Sequence, residues 1–209
     1  RQRLYMSLNS FNEFEEMHRS VLQEICNIGA GNAATAVSQM ISSATDISTP
    51  QVKILAPALA GKIADMHSSD SEAFLIKLCG DMLGSVLFVF PYTFISRLAE
   101  TFFPGVSIQK KEDMDEMSTS AVRETVNIVS AAYANSFALM SGMTVDISVP
   151  KNVTSPSAEI LSISGVNATS MCFVNNSIEI TDCHKSFNVL FFPELNTIKD
   201  FMRKIGVEC

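Results

Sequence analysis

Glu24 and Asn27 place a carboxylate and a carboxamide three residues apart, with Ser20 one turn before them, and Ser120, Glu124 and Asn127 repeat the trio one hundred positions later. A carboxylate attracts a cation, and a carboxamide both donates and accepts hydrogen bonds. The register continues through Asp46-Ile47-Ser48 and Asp146-Ile147-Ser148 to Pro50 and Pro150. On an α-helix, Glu24, Asn27, Gly31, Ala34, Thr35 and Ser38 all fall within about 60° of Ser20. Leu22, Ile25, Cys26, Ala33, Ala36, Val37 and Met40 lie opposite, as an apolar face. The second copy divides in the same way. Ser120, Glu124, Asn127, Ala131, Ala134, Asn135 and Ala138 share one side, and Val122, Val126, Val129, Tyr133, Phe137 and Met140 the other.

A single Glu-x-x-Asn is most often a solvated pair on an exposed helix face, since short motifs recur by chance. Two copies in register weigh differently. Core positions differ between them, with Ile25 against Thr125 and Val37 against Phe137, whereas the carboxylate and the carboxamide are kept. Asn is a mediocre helix former because its amide competes for backbone groups, so placing one mid-helix twice calls for a reason. The small residues Gly31 and Ala131 leave room for a partner's backbone or a bulky phosphoryl group to come close.

The elements that must hold these stripes are legible from periodicity and breakers. A helix is expected over about 14–42, then strands at 51–56, 62–66, 73–78 and 85–90, divided by Gly61, the Ser68-Ser69-Asp70 turn and Gly80-Asp81. Pro91 opens a helix to about 102, which Pro104-Gly105 stops. After the connector 109–116, a second motif helix runs over about 117–141. Strands follow at 145–149, 158–163, 171–174, 178–181 and 187–192, and Phe192-Pro193 repeats Phe90-Pro91 with an offset of 102 before a closing helix. The expected fold class is α/β, an α+β sandwich with an internally duplicated, pseudo-two-fold arrangement, a mainly antiparallel sheet and both motif helices on one face. Repeat one covers about 14–105 and repeat two about 117–207. At 209 residues and 47% hydrophobic content, the chain reads as one fused domain over 1–209 with a substantial core.

Fifteen basic against twenty-two acidic residues give a net charge of −7, which argues against non-specific nucleic-acid binding. No apolar run approaches the roughly 20 residues needed to span a bilayer, and residues 1–20 carry no apolar signal-peptide core. A cytoplasmic setting without membrane insertion is expected, and residues 1–5 are set aside as a possible tag remnant. Cys26, Cys79, Cys172, Cys183 and Cys209 are dispersed and form no C-x-x-C pair, which suits reduced, buried thiols. Cys172, Cys183 and His184 do not match a recognised zinc spacing. His18, His67 and His184 stand apart from one another and support no Ser/His/Asp arrangement.

Ser-x-x-x-Glu-x-x-Asn followed by 22 residues and Pro resembles the signature of the CheC, CheX and FliY chemotaxis phosphatases, and the chain carries it as Ser20/Glu24/Asn27/Pro50 and Ser120/Glu124/Asn127/Pro150. The stretch 27–36, NIGAGNAATA, is similar to CheC in particular. The resemblance covers the chain from Glu16 onward. It implies removal of the phosphoryl group from an aspartyl phosphate on a CheY-like response regulator. Asn27 and Asn127 would hold the attacking water in line, while Glu24 and Glu124 would dock to a lysine of the regulator. Ser20, Gly31, Ala34, Ser120, Ala131 and Asn135 would line the partner contact. It implies no cofactor or metal site on the chain itself, with Mg²⁺ carried by the regulator. Two other readings remain open: an adaptor acting through the receptor deamidase CheD, and a flagellar-rotor component resembling the central domain of FliM.

Overall fold

The computed structural model describes residues 9–66, 70–164 and 170–208. Residues 1–5, His67, Ser68, Ser69 and Cys209 lie outside that set. Each half runs through the same elements in the same order. A 3-10 turn at Phe11–Glu13 leads into α1 (Glu16–Ile41), followed by β1 (Thr45–Ile47), β2 (Gln51–Leu55), α2 (Pro57–Met66), β3 (Ser71–Gly80), β4 (Gly84–Pro91) and α3 (Tyr92–Phe102). A 3-10 turn at Lys111–Asp113 then leads into α4 (Glu116–Ser141), β5 (Val145–Ile147), β6 (Lys151–Val153), α5 (Pro156–Ser164), β7 (Met171–Ile180), β8 (Lys185–Pro193) and α6 (Leu195–Lys204).

The eight strands form one antiparallel sheet in the order β1-β7-β8-β4-β3-β5, with β2 also beside β7 and β6 beside β3. The short strands after each motif helix therefore pair with the long strand of the other half. Their registers match: Thr45 faces Ile180 and Val145 faces Gly80. Ser48 Oγ accepts the Ser177 N–H at 2.8 Å, and Ser148 Oγ accepts the Lys77 N–H at 3.0 Å. The repeated Asp-Ile-Ser thus fastens each edge strand to its neighbour.

Side chains alternate across the sheet, as the strand period of two requires. Phe74, Ile76, Val86, Phe88, Phe90, Cys172, Val174, Phe187 and Phe191 join the core formed with α1, α3, α4 and α6. Ala73, Leu75, Leu87, Val89, Phe173, Leu190 and Phe192 join a second core with Ala60 of α2 and Ile160 of α5. Burial on both faces explains the near-continuous apolar runs of the central strands. Both motif helices lie on the first face.

Three expectations are corrected. Residues 62–66 and 158–163 are helical, because Pro57 and Pro156 open helices at their first position and Ala60, Ile63, Ile160 and Ile163 return at helical spacing against the sheet. Gly61 is a packing residue within α2: a Cβ there would lie 3.1 Å from Ser157 Cβ of α5. Strands expected at 171–174 and 178–181 are one strand, since the polar run Asn175-Asn176-Ser177 keeps its pairing with β8. Finally, Leu78 pairs with Gly84 where Ile178 pairs with Phe187, so the offset is 100 before the hairpin turn and 103 after it. Phe192-Pro193 is therefore not the counterpart of Phe90-Pro91; the N-caps of α3 and α6 are Pro91 and Glu194.

Candidate functional site

The site is built on the crossing of α1 and α4. Tyr133 of α4 is fully buried, and a Cβ on Gly29 of α1 would fall 2.7 Å from its Cδ1, so the helices approach here only because residue 29 has no side chain. The halves exchange bulk at this point, with Gly29 and Ala33 on one helix against Val129 and Tyr133 on the other. Tyr133 donates its hydroxyl to Asn176 Oδ1 at 3.1 Å, and Asn32 Nδ2 donates to Ser136 Oγ at 2.8 Å across the pair. Further along, Thr125 Oγ1 reaches Met40 Sδ at 3.9 Å. The contact on α4 moves back from 133 to 125 as that on α1 advances from 29 to 40, so the helices are antiparallel. Glu24/Asn27 and Glu124/Asn127 therefore stand toward opposite ends of the pair, roughly 20 Å apart at 1.5 Å of rise per residue.

Both stripes present the same profile. Ser20 and Glu24 are exposed and Asn27 and Gly31 half-exposed; Ser120 and Glu124 are exposed and Asn127 and Ala131 half-exposed; Asn135 is exposed. Among the described residues, no side chain or backbone group hydrogen-bonds or ion-pairs with the side chains of Glu24, Asn27, Glu124 or Asn127. Outside its own helix, a Cβ on Gly31 would meet no described heavy atom within 4 Å, so the ground beside Asn27 is open. Ala34 departs from the expectation. It is only 5% exposed, and its carbonyl accepts the Thr45 hydroxyl at 2.7 Å, so it contributes little surface of its own beneath β1. Its counterpart Ala134 is buried in the same way.

Capping fixes where each stripe begins. The Glu15 N–H donates to His18 Nδ1 at 3.1 Å, and His18 Nε2 lies 3.2 Å from the Glu208 carbonyl, which makes this buried histidine a clasp between helix start and chain end. At the start of α4, Asp115 accepts from the Ser118 hydroxyl at 2.6 Å and its N–H at 2.7 Å. Those bonds, the hydroxyl's first, hold the Asp115 carboxyl below its usual range. Cys172 is buried, Cys183 partly buried, and His184 pairs with Glu179 at 2.7 Å. Among the described residues no group of three or more His, Cys, Asp or Glu could hold a metal ion.

Apolar residues flanking the stripes escaped the sequence reading. Met17 and Met117 are 49% and 52% exposed one turn before each serine, and Ile28, 40% exposed, follows Asn27 as Ile128 follows Asn127. The signal was available: Glu16-Met17, Ile28 and Met40 recur as Glu116-Met117, Ile128 and Met140. Beside the second stripe an open groove of about 700 Å³ is lined by Met40, Phe102, Phe103, Met117, Ala121 and Ile128, together with Glu116, Ser120 and Glu124.

The two paired helices over the antiparallel sheet each turn a carboxylate and a carboxamide outward. Residues 17–54 match the CheC-like family and residues 73–173 match chemotaxis phosphatase CheX. The CheY-P phosphatase CheC of Bacillus subtilis is 28% identical over 151 residues, which is 69% of this chain and 69% of that protein. The flagellar motor switch phosphatase FliY of the same organism is 28% identical over 139 residues, 66% of this chain and 36% of FliY. The crystal structure of Thermotoga maritima FliY superposes with a TM-score of 0.74 at 19% identity, covering 92% of this chain and 98% of that one. Over residues 17–54 and 73–173 the chain is thus similar to the CheC-type chemotaxis phosphatases. Among the described residues, no helix is long and apolar enough to cross a membrane.

Proposed function

We propose that this protein hydrolyses the aspartyl phosphate of a CheY-like response regulator at two surfaces, one centred on Asn27 and the other on Asn127. The observation that carries this reading is the pair of solvent-facing Glu/Asn stripes whose polar ends have no partner within the described chain. Phosphoryl transfer to water is largely positioning and electrostatics, and a fixed carboxamide suffices to orient the water in line with phosphorus. Each asparagine, entering the regulator's phosphorylated pocket, accepts a hydrogen bond from the water and donates one to a neighbouring oxygen; as the water oxygen bonds to phosphorus the aspartyl O–P bond breaks, the regulator's carboxylate leaves, and the water's proton goes to the released phosphate. Glu24 and Glu124 sit one turn away, too negative to face a phosphoryl dianion and suited to a lysine of the regulator. They orient the helix and take no proton from the water. The Mg²⁺ that neutralises the phosphate belongs to the regulator.

The two halves then act as duplicated versions of one unit, and a CheD contact, if one is found by pull-down, is an added role. The test follows loss of radiolabelled phosphate from a phosphorylated CheY-type regulator. The unaltered protein accelerates it; Asn27→Ala and Asn127→Ala each leave substantial activity; the double variant loses about 100-fold or more, as removal of one oriented catalytic group does elsewhere. Complete loss from either single change would refute independent surfaces, and full activity in the double variant would refute the role of the asparagines.

A further inference from the structure

We propose that the groove beside the second stripe is a specificity pocket, taking an apolar side chain of the phosphorylated regulator that stands next to a basic residue, and that the second surface is therefore the tighter docking site. This rests on the phosphatase reading. Three observations lead to it. Ser120 and Glu124 belong to both groove and stripe, so a partner whose phosphorylated pocket receives Asn127 also covers the groove. The floor is apolar, from Met40, Phe103, Ala121 and Ile128, while Glu116 and Glu124 are exposed carboxylates on its rim. That combination complements an aliphatic or aromatic residue flanked by a cation.

The third observation is the failure of the repeat at this point. Methionines 117 and 40 and Ile128 have counterparts in Met17, Met140 and Ile28. With the offset of 103 that holds after the hairpin turn, Phe102 and Phe103 correspond to Ile205 and Gly206. Phe102 is 41% exposed, its ring centroid 6.3 Å from that of Phe103, whereas Ile205 is partly buried against the core and Gly206 turns the chain at φ 87°. Among the described residues, the first surface has no pair of aromatic rings at this place. Identical polar stripes thus carry unequal apolar surroundings, and buried aromatic anchors dominate docking energies.

The test isolates each surface. In the Asn27→Ala background only the second surface acts, and Phe102→Ser should raise KM for the phosphorylated regulator about tenfold with kcat unchanged. Met117→Ser should act in the same direction. In the Asn127→Ala background Phe102→Ser should leave KM unchanged. Circular dichroism and melting temperature check that Phe102→Ser, at a partly exposed site, leaves the fold intact. In parallel, titration with the regulator's receiver domain activated by beryllofluoride reads docking without chemistry. If the unaltered protein binds this probe but releases no phosphate, the phosphatase reading fails, while weaker binding by Phe102→Ser still upholds the pocket. Unchanged KM and unchanged probe affinity in the Asn27→Ala background overturn the proposal. So does absence of any probe binding by the unaltered protein, or a change in sedimentation with KM unmoved, which would assign the groove to a second copy of this chain.

Discussion

Gly29 and Gly31 sit two residues apart on α1, and the same substitution at each should have opposite consequences. At Gly31 a methyl group meets open solvent, so Gly31→Ala brings only the helix-propensity gain of about 0.5–1 kcal/mol. For a domain of this size that raises the melting temperature by about 1–4 °C. At Gly29 the new Cβ arrives 2.7 Å from Cδ1 and 3.0 Å from Cε1 of Tyr133. The ring cannot swing away cheaply, because it is fully buried and its hydroxyl is committed to Asn176. Overpacking of this kind costs about 1–3 kcal/mol, and the helix gain offsets part of it, leaving a net loss of up to about 2.5 kcal/mol. Thermal and urea melts of the two single variants measure both signs. A double-mutant cycle with Tyr133→Leu isolates the cause: with the ring gone, Gly29→Ala should cost little, which is a coupling of about 1 kcal/mol or more. Gly29→Ala melting at or above the unaltered protein, or strict additivity in the cycle, would refute the account of the helix crossing.

Two other properties of the fold can be tested by substitution. Gly31→Trp in the Asn127→Ala background should fold normally yet lose most phosphate release, because a large side chain then occupies the approach to Asn27; retained activity would mean that the partner does not come in over residue 31. Alkaline stability provides the other. Burial pushes the Cys172 thiol up to about 12 from the ordinary 9.0, and burial, then the neighbouring Cys172, raises Cys26 as well. The folded state keeps both protons where an unfolded chain would release them near 9, so their contribution is complete below pH 9 and is lost progressively as pH rises from there toward 12. Urea midpoints between pH 8 and 11 should fall, and less steeply in a Cys26→Ala variant; equal slopes would remove the thiols as the cause.

Much of the polar design was readable because it repeats. Ser20, Glu24 and Asn27 could be set beside Ser120, Glu124 and Asn127 without knowing what the helices pack against, and their exposure matches across the halves. The low exposure of Ala34 was not legible because a helical wheel records angle alone; at about the same angle as Asn27, it lies two turns further on, where β1 folds back over the helix. The helices α2 and α5 were hidden by their isoleucines, whose β-branching suggests a strand when the second buried face of the sheet is unknown. Nor could pairing between halves be read: Ser48 and Ser148 look like part of the polar motif, yet each binds the strand of the opposite half. Repetition marks what both halves need, and some of what they need is architecture.

That distinction bears on how the two surfaces can differ. Because β1 and β2 pair with β7 while β5 and β6 pair with β3, neither half has a complete sheet without the other. Residues that fasten the exchange, such as Ser48 and Ser148, are under the same constraint twice. Under the proposed function the polar stripes would meet the same chemistry twice. The C-terminal ends of α3 and α6 answer to neither constraint: the two helices start in one register, from Pro91 and Glu194, yet end on Phe102-Phe103 in one half and Ile205-Gly206 in the other. Phe102 and Phe103 lie in the segment where the halves were free to diverge, next to a stripe that was not. A duplicated domain of this construction can change what one surface recognises while leaving its Glu/Asn pair intact.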